Sequence, residues 1–383
     1  MSKNLEELRA EIDEIDRQMI DLFKERMEAA SQIAEYKKER GLPVLDAGRE
    51  RALLGKVADQ AGEEFADYAQ SMYRTILSTS RSYQNGRMGT SSSVYDSIRD
   101  ALTTTPKLFP QRPTVACQGV EGAYSQIACD RLFKAPTIMF FHTFDHVFKA
   151  VESGMCQYGI LPIENSTAGS VKAVYDLMIR HNFSIVRSAR MKISHNLLAK
   201  HGVKQSEIKE IFSHEQAISQ CSEYLAGLKD VKVTVVENTA MASKMVAESD
   251  RTDVAALSSR FCAEHYGLNI LQENVQDHDN NYTRFICISK QTEIYPGADR
   301  TSLMMTLPHK PGSLYNVLAK FYALNINLQK LESRPLPNRE FEFMFYFDIE
   351  ASVYAPEVEK LFRDLESESE QMRYLGTYNE VIC

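Results

Sequence analysis

The chain has little that would tie it to a membrane, a cofactor or a disulfide scaffold. No apolar run in its 383 residues approaches a membrane span, and the opening Met1-Ser2-Lys3-Asn4-Leu5-Glu6-Glu7 does not read as a signal peptide. The seven cysteines, Cys117, Cys129, Cys156, Cys221, Cys262, Cys287 and Cys383, are odd in number and include no CxxC pair. They read as reduced thiols, and the expected location is the cytoplasm. No GxGxxG occurs, so the usual dinucleotide-binding turn is missing and no cofactor is expected. Positive charge is in deficit, 44 Lys and Arg against 52 Asp and Glu for a net charge of −8, which argues against a general nucleic-acid surface. His142 and His146 stand four apart, but no third ligand is evident near them, and no metal is expected.

What is present is ordinary folded protein, 44% hydrophobic and long enough for two to four domains. Its first strong pattern runs from residue 5 to 39. Leu5, Leu8, Ile12, Ile15, Met19 and Leu22 recur three and four apart on one seam of a helix, and Ala29, Ile33 and Tyr36 carry the seam on. Arg26 falls on the same seam, where an unpartnered cation costs several kcal/mol unless a carboxylate of the protein or of a ligand meets it. Lys37, close to three turns further on, shares that face at roughly 16 Å, so the two cations could bracket a small anion. Arg9 lies about 25 Å from Arg26 and is rotated by roughly 100°, too far to hold the same molecule. Its expected place is an equivalent site on a second chain, with two copies of this long helix packed together. The plainer alternative is Arg26 snorkelling, or pairing with Glu25 or Asp21 on the surface.

A break at residues 41–43 precedes the charged run Asp46-Ala47-Gly48-Arg49-Glu50-Arg51, and a third helical pattern over 66–84 puts Ser80 and Gln84 on one face. With these residues in view, positions 5–84 resemble the all-helical chorismate mutase domain, an intertwined dimer of three-helix protomers. The resemblance matches Arg9, Arg26, Lys37, Asp46, Arg49, Glu50, Ser80 and Gln84 to the family's pocket, with Arg9 lent by the other subunit. It implies that Arg26 and Arg9 clamp carboxylates, that Lys37 and Gln84 donate to the ether oxygen, and that Glu50 and the Asp46 region bind the ring hydroxyl. The implied rearrangement of chorismate to prephenate is pericyclic and needs positioning and charge stabilisation rather than a nucleophile or metal.

Composition shifts over 85–113, with Asn85-Gly86, the small-residue runs 90–93 and 103–105, and Pro106, Pro110 and Pro113. This reads as a linker, with a short helix at 94–102. Strand and helix patterns then alternate: strands at 114–117, 137–140, 158–163, 184–193, 208–212, 231–236 and 254–256, helices at 124–133, 145–153, 171–181, 216–225, 240–248 and 259–266. The expectation is a two-lobed α/β domain with ligands where strands end and helices begin. Polar loops stand at such junctions: Gly119 to Ser125, Pro162 to Ser170, Ser213 to Gln216, Glu237-Asn238-Thr239, and Asp277 to Phe285. Singly each reads as capping and turn chemistry.

Together they make residues 114–290 similar to prephenate dehydratase, with Val120, Ala123 and Glu215 departing from the family's usual residues. That reaction expels the C4 hydroxyl of prephenate together with carbon dioxide, and needs a donor for the hydroxyl and anchors for two carboxylates. The resemblance sets Thr283 next to the hydroxyl, read as a hydrogen-bond donor that relays a proton. It makes Arg284 a carboxylate anchor or a structural group. Glu164 is left as either a neutral acid or an orienting acceptor. Asn165, Ser166, Ser213 and Gln216 are polar contacts, and Asn238, Thr239 and Phe285 belong to the same motifs. The missing GxGxxG disfavours the sister activity, an NAD-dependent prephenate dehydrogenase.

From residue 301 the order is strand, helix, strand, strand, helix, strand, a βαββαβ ferredoxin-like pattern in which Phe341, Phe343, Phe345 and Phe347 read as a packed sheet face. The segment resembles an ACT regulatory domain. Gly312-Ser313-Leu314 after Pro311, and Glu332-Ser333-Arg334 before Pro335, match the phenylalanine-binding motifs of dehydratase ACT domains, with serine at 313 where alanine is usual. The expected architecture is thus multidomain: helical mutase 1–84, linker 85–113, dehydratase 114–290 and ACT domain 299–383. The expected function is chorismate to prephenate to phenylpyruvate under phenylalanine feedback, in a homodimer or larger assembly. Two alternatives stay open: a non-catalytic coiled-coil regulator with an amino-acid sensor, and a chain in which one site has decayed.

Overall fold

The computed structural model describes residues 4–89, 92–337, 339 and 342–383. Residues 90 and 91 of the expected linker, and Phe341 of the aromatic alternation, lie outside them. The first helix, Leu5–Glu39, opens with a capping box: the Asn4 side chain accepts from the Glu7 amide at 2.9 Å, and the Glu7 carboxylate accepts from the Asn4 amide at 3.0 Å. Glu6 and Glu7 in its first turn and Lys37 and Lys38 in its last oppose the helix dipole. Its apolar seam is left open along its length: Leu5, Leu8, Ile12, Ile15, Met19, Leu22, Ile33 and Tyr36 are 43% to 64% exposed, and the buried residues of the helix, Ala30 and Ala34, each stand one position beyond the seam.

The next helix, Ala47–Met88, is capped by Asp46, which accepts from the Arg49 amide at 3.0 Å. It is broken at Gly62, whose φ of 72° and ψ of 168° no side chain tolerates well, so the stretch is two helical arms and the expected three-helix count holds. The expected linker does not begin at residue 85. The helix runs through Asn85 and Gly86 to Met88, overriding a dipeptide that favours turns. A separate helix, Ser93–Thr104, contains the short one expected at 94–102.

The chain forms two compact units. The first comprises Met1–Asp96, Lys310–Leu324 and Pro356–Glu370; the second comprises Ser97–His309, Asn325–Ala355 and Gln371–Cys383. The stretch expected as one domain at 299–383 is therefore shared: its helices, Ser313–Ala323 and Pro356–Glu368, belong to the first unit and its strands to the second. Within the first unit, Ser82 on Ala47–Met88 bonds to Asp364, and the Ser93 hydroxyl donates to Glu366 at 2.9 Å.

The second unit holds three sheets. Across the first lie Glu380–Ile382, Ser184–Lys192, Tyr282–Ser289, Tyr158–Asn165, Thr114–Gln118 and Thr137–Phe141, with Gly169–Ser170 paired to Tyr158–Asn165. Glu380–Ile382, within the stretch expected as 299–383, joins the first sheet, parallel to Ser184–Lys192. The second sheet runs Asn269–Gln272, Asn196–Ala199, Val254–Ser258, Glu210–Ser213, Lys232–Val235. Asn196–Ala199 and Asn269–Gln272 were not expected. The former is buried at every position and has no polar–apolar alternation to mark it as a strand. The third sheet is antiparallel, in the order Leu328–Pro335, Phe343–Ile349, Arg300–Thr306, Gln371–Tyr378. Phe343, Phe345 and Phe347 form a row at 6.4 Å spacing on one face. Met344 and Tyr346 on the other join the first sheet's core with Leu161, Ile286 and Tyr378.

Glu210 ties the second lobe together, accepting from Arg251 at 2.6 Å, Thr234 at 2.7 Å and Lys232 at 2.9 Å. Arg251 first, then Thr234 and Lys232, pull its carboxyl from the usual 4.5 to about 2. The unfolded chain therefore takes up a proton before the native one, and this contribution is lost as pH falls from 4.5 through about 2. Thermal unfolding should show Glu210→Gln less stable than the parent at pH 7, with the gap closing over that window; a gap that stays constant with pH rules the coupling out.

Candidate active sites

The mutase-like residues gather in the first unit around a cavity of about 570 Å³, well within the range of small-molecule sites. Arg26, Lys37, Asp46, Arg49, Glu50, Ser80 and Gln84 all line it, with Ala29, Ile33, Tyr36 and Leu77 as its apolar wall. Arg26 and Lys37, both half-buried on Leu5–Glu39, share the cavity with Ser80 and Gln84 of the second helical arm, and Arg26 bonds directly to the Ser80 hydroxyl. The Lys37 ammonium donates to the Val44 carbonyl at 2.6 Å, which pins it to the wall and leaves further N–H groups for a ligand. Gln84 is 9% exposed and keeps a buried amide oxygen without a partner. Asp46 lines the cavity while spending one oxygen on its cap. Arg9 is exposed and does not line it.

One lining residue has no counterpart in the sequence reading. Arg81 adds a fourth cation, so cations exceed carboxylates by two around a small site. Such a surplus suits a dianion. Nothing local marks Arg81, because its partners stand 31 and 287 residues away.

The dehydratase-like residues meet in the second unit at a cleft of about 300 Å³, lined from both lobes. Asn165, Gln216, Asn238, Thr239, Thr283 and Phe285 line it, together with Tyr124, Ser125, His195, His214, Gln220 and Glu237. Asn165 is the hub. Its amide nitrogen donates to Thr283 Oγ1 at 2.9 Å and to Asn281 Oδ1 at 2.7 Å, and its oxygen accepts from the Thr167 hydroxyl at 2.7 Å and the Ala168 amide at 2.9 Å. With Thr283 Oγ1 accepting, its hydrogen is left to donate.

Four expected contacts are not in the cleft. Adjacent strand residues point to opposite faces, and Arg284 pairs in register with Glu164 just as Thr283 pairs with Asn165. Facing Thr283 and Asn165 into the cleft therefore turns Arg284 and Glu164 away from it. Arg284 bonds to Asp348 on Phe343–Ile349 and stands 3.9 Å from Glu164. Burial opposes its charge, but the Asp348 carboxylate overrides this and raises its proton affinity above the usual guanidinium range. Glu164 accepts from Lys330 at 2.5 Å. Ser166 clamps its loop, donating to the Asn280 carbonyl at 2.6 Å and accepting from the Tyr282 amide at 2.8 Å. Ser213 is fully buried and donates to the Leu257 carbonyl at 2.8 Å.

In place of Arg284, the cleft offers helix N-termini. Ala123, Tyr124 and Ser125 line it at the start of Tyr124–Leu132, where Ala123 supplies no side-chain cap, so first-turn amides stay available to an anion. Asn238 and Thr239 line it at the start of Thr239–Glu248. Among the described residues lining the cleft there is no lysine or arginine. His195 was missed in sequence although it closely follows an expected strand end. Its Nε2 lies 3.0 Å from Gln220 Oε1 and its buried Nδ1 has no partner. Burial lowers its proton affinity against that hydrogen bond, so the ring is neutral near pH 7. Among the described residues no three His, Cys, Asp or Glu side chains gather as a metal site would require, and no helix is long and apolar enough to cross a membrane.

In the third sheet, alternation along Leu328–Pro335 divides the second of the two expected phenylalanine motifs. Lys330, Glu332 and Arg334 turn to the first sheet's domain: Lys330 to Glu164, Glu332 to the Ser170 hydroxyl at 2.6 Å, and Arg334 to Asp176 with bonds of 2.8 and 2.9 Å. Ser333 is exposed on the other face. Of the first motif, Gly312 has a φ of 85° and caps Ser313–Ala323, a conformation that favours glycine, and Leu314 lies in the first turn.

Comparison with known proteins gives two family matches, prephenate dehydratase over residues 115–293 and type II chorismate mutase over residues 8–85. The chain is 38% identical over 279 residues to arogenate dehydratase/prephenate dehydratase 2 of Arabidopsis thaliana, covering 70% of this chain and 73% of that one. It is 29% identical over 386 residues to the bifunctional chorismate mutase/prephenate dehydratase of Aquifex aeolicus, covering 99% of each. Among solved structures, the prephenate dehydratase of Arthrobacter aurescens in complex with L-Phe superposes with a TM-score of 0.64 at 28% identity, over 70% of this chain and 89% of that one.

Proposed function

The chain belongs to the prephenate dehydratase family and carries a type II chorismate mutase domain ahead of it, and from that premise we propose how its two cavities divide the chemistry. The chain is a bifunctional chorismate mutase and prephenate dehydratase that makes phenylpyruvate from chorismate, with phenylalanine as feedback effector. The observation that carries the first half is the surplus of cations around a small cavity. Arg26 and Arg49 take carboxylates of chorismate, Lys37 and Gln84 donate to the ether oxygen as its C–O bond breaks, and Glu50 accepts from the ring hydroxyl. The exposed stripe from Leu5 to Leu22 is covered by the same helix of a second copy, which brings in Arg9; this makes the protein a homodimer with shared mutase sites.

In the second cleft Thr283 donates to the C4 hydroxyl of prephenate. The C4–O bond breaks as water leaves with a proton, the ring carboxylate departs as carbon dioxide, and its bonding electrons complete the aromatic ring. The carboxylates rest on the amides of Tyr124 and Ser125 and at Thr239. We further propose an ACT regulatory domain at 299–383, mutase helices at 1–84 and a dehydratase at 114–290 in a cytoplasmic protein. Its effector motifs are Gly312-Ser313-Leu314 and Glu332-Ser333-Arg334. Strand Leu328–Pro335 supports this reading, since Lys330 grips Glu164, the neighbour of the Asn165 that holds Thr283. A shift of that strand is felt at the donor.

Chorismate supplied to the full chain should yield prephenate and then phenylpyruvate, and added phenylalanine should lower phenylpyruvate output. Unchanged chorismate makes the first site inactive, as a regulator or decayed mutase predicts. Added prephenate that is not consumed does the same for the second.

A further inference from the structure

Arg81 stands second in a row of alternating charges within the first unit, Glu50, Arg81, Glu368 and Lys320. Its Nη1 is 2.6 and 2.7 Å from the two oxygens of Glu50. Its Nη2 is 3.4 Å from Glu368 in the last turn of Pro356–Glu368, and Glu368 is 3.7 Å from Lys320 on Ser313–Ala323. All four side chains are largely shielded, between 11% and 25% exposed, so water screens these contacts weakly.

We propose that Arg81 is a positioning residue for the mutase reaction, holding Glu50 in the orientation that receives the ring hydroxyl and being held in turn by Glu368. The inference rests on the mutase reading of this cavity. Glu50 is a carboxylate on a flexible stem in a wall that also carries Arg26, Lys37 and Arg49. Left to itself it would swing onto one of those cations and neutralise a group the substrate's carboxylates need. Gripping both of its oxygens prevents that collapse and leaves the outward lone pairs for a hydroxyl. Arg81 is itself fixed because Glu368 takes its second nitrogen, and Lys320 keeps Glu368 from being an isolated buried charge. The position of two helices from the C-terminal third of the chain is thereby read at the mutase pocket.

The test is a double-mutant cycle in the full chain, with turnover of added prephenate as the internal control for folding. Arg81→Met should raise the mutase KM for chorismate on the order of tenfold or more, the scale of a lost charge-assisted bond, while kcat falls much less. Arg81→Lys should restore part of the loss, and Glu368→Gln should move KM in the same direction by a smaller factor. In a Glu50→Gln background, where no carboxylate remains to collapse, Arg81→Met should change KM little. Dehydratase turnover should stay within about twofold throughout, as expected for sites that share no partners. An unchanged KM in Arg81→Met, or an equal rise in the Glu50→Gln background, overturns the proposal. If Arg81→Met does not fold, the Arg81→Lys and Glu368→Gln pair decides: a KM unmoved in both is equally fatal. If no variant or parent turns over chorismate at all, the mutase reading itself has failed, an outcome distinct from either.

Discussion

Lys37→Ala should abolish mutase turnover in practice, lowering kcat/KM by about 10² to 10³-fold, the usual loss of a donor aimed at charge that develops in a transition state. The ammonium sits in the last turn of Leu5–Glu39 and is tethered to the Val44 carbonyl, so it is oriented before any ligand arrives. Its removal leaves the Arg26 to Ser80 contact and the helix intact, and added prephenate should still be consumed at the parent rate. The proposed shared-site dimer adds a sharper test. Arg9→Ala should be as inactive as Lys37→Ala, yet mixing and re-forming dimers from the two should restore roughly a quarter of the sites, because half the dimers are mixed and one of their two sites is whole. Full mutase turnover in Lys37→Ala would show that the cavity has been misassigned.

Thr283→Ala should be the mirror image: mutase turnover intact, prephenate accumulating from chorismate, and phenylpyruvate formation reduced about 10² to 10⁴-fold, the range for a positioned proton donor. The hydroxyl is committed by geometry. Thr283 Oγ1 already accepts from Asn165, so its hydrogen is the part left for the substrate, and no lysine or arginine among the described residues lines the cleft to take over. Thr283→Ser keeps the same oxygen and should retain most activity. A Thr283→Ala enzyme that makes phenylpyruvate normally transfers the donor role elsewhere, and neutral His195, with its unpartnered Nδ1, would be the next side chain to examine.

The cavity of the first unit was legible in part because two of its four cations, Arg26 and Lys37, share a helix. Periodicity puts those two on one face, and folding brings Ser80 and Gln84 to the same cavity. The dehydratase cleft was legible as a set of loops but not as a set of side chains. Asn165 and Thr283 belong to it, while Glu164 and Arg284, one residue away from each, do not. A strand's alternation says that such neighbours face apart; only the sheet covering one of those faces says which is in the cleft. Covered by Asp348 and Lys330, the charged pair became a structural joint.

By itself the sequence determined most of the elements, their order and the chemistry available: a cationic helical seam, alternating strands and helices with polar junctions, and a βαββαβ run near the end. These follow from periods of a few residues, which a chain carries locally. Tertiary structure alone decided which face of each strand looks into the cleft, that Glu380–Ile382 leaves its own sheet, and that Arg81 meets Glu50 and Glu368. Those outcomes depend on partners tens to hundreds of residues away, where burial and charge pairing outweigh any local preference.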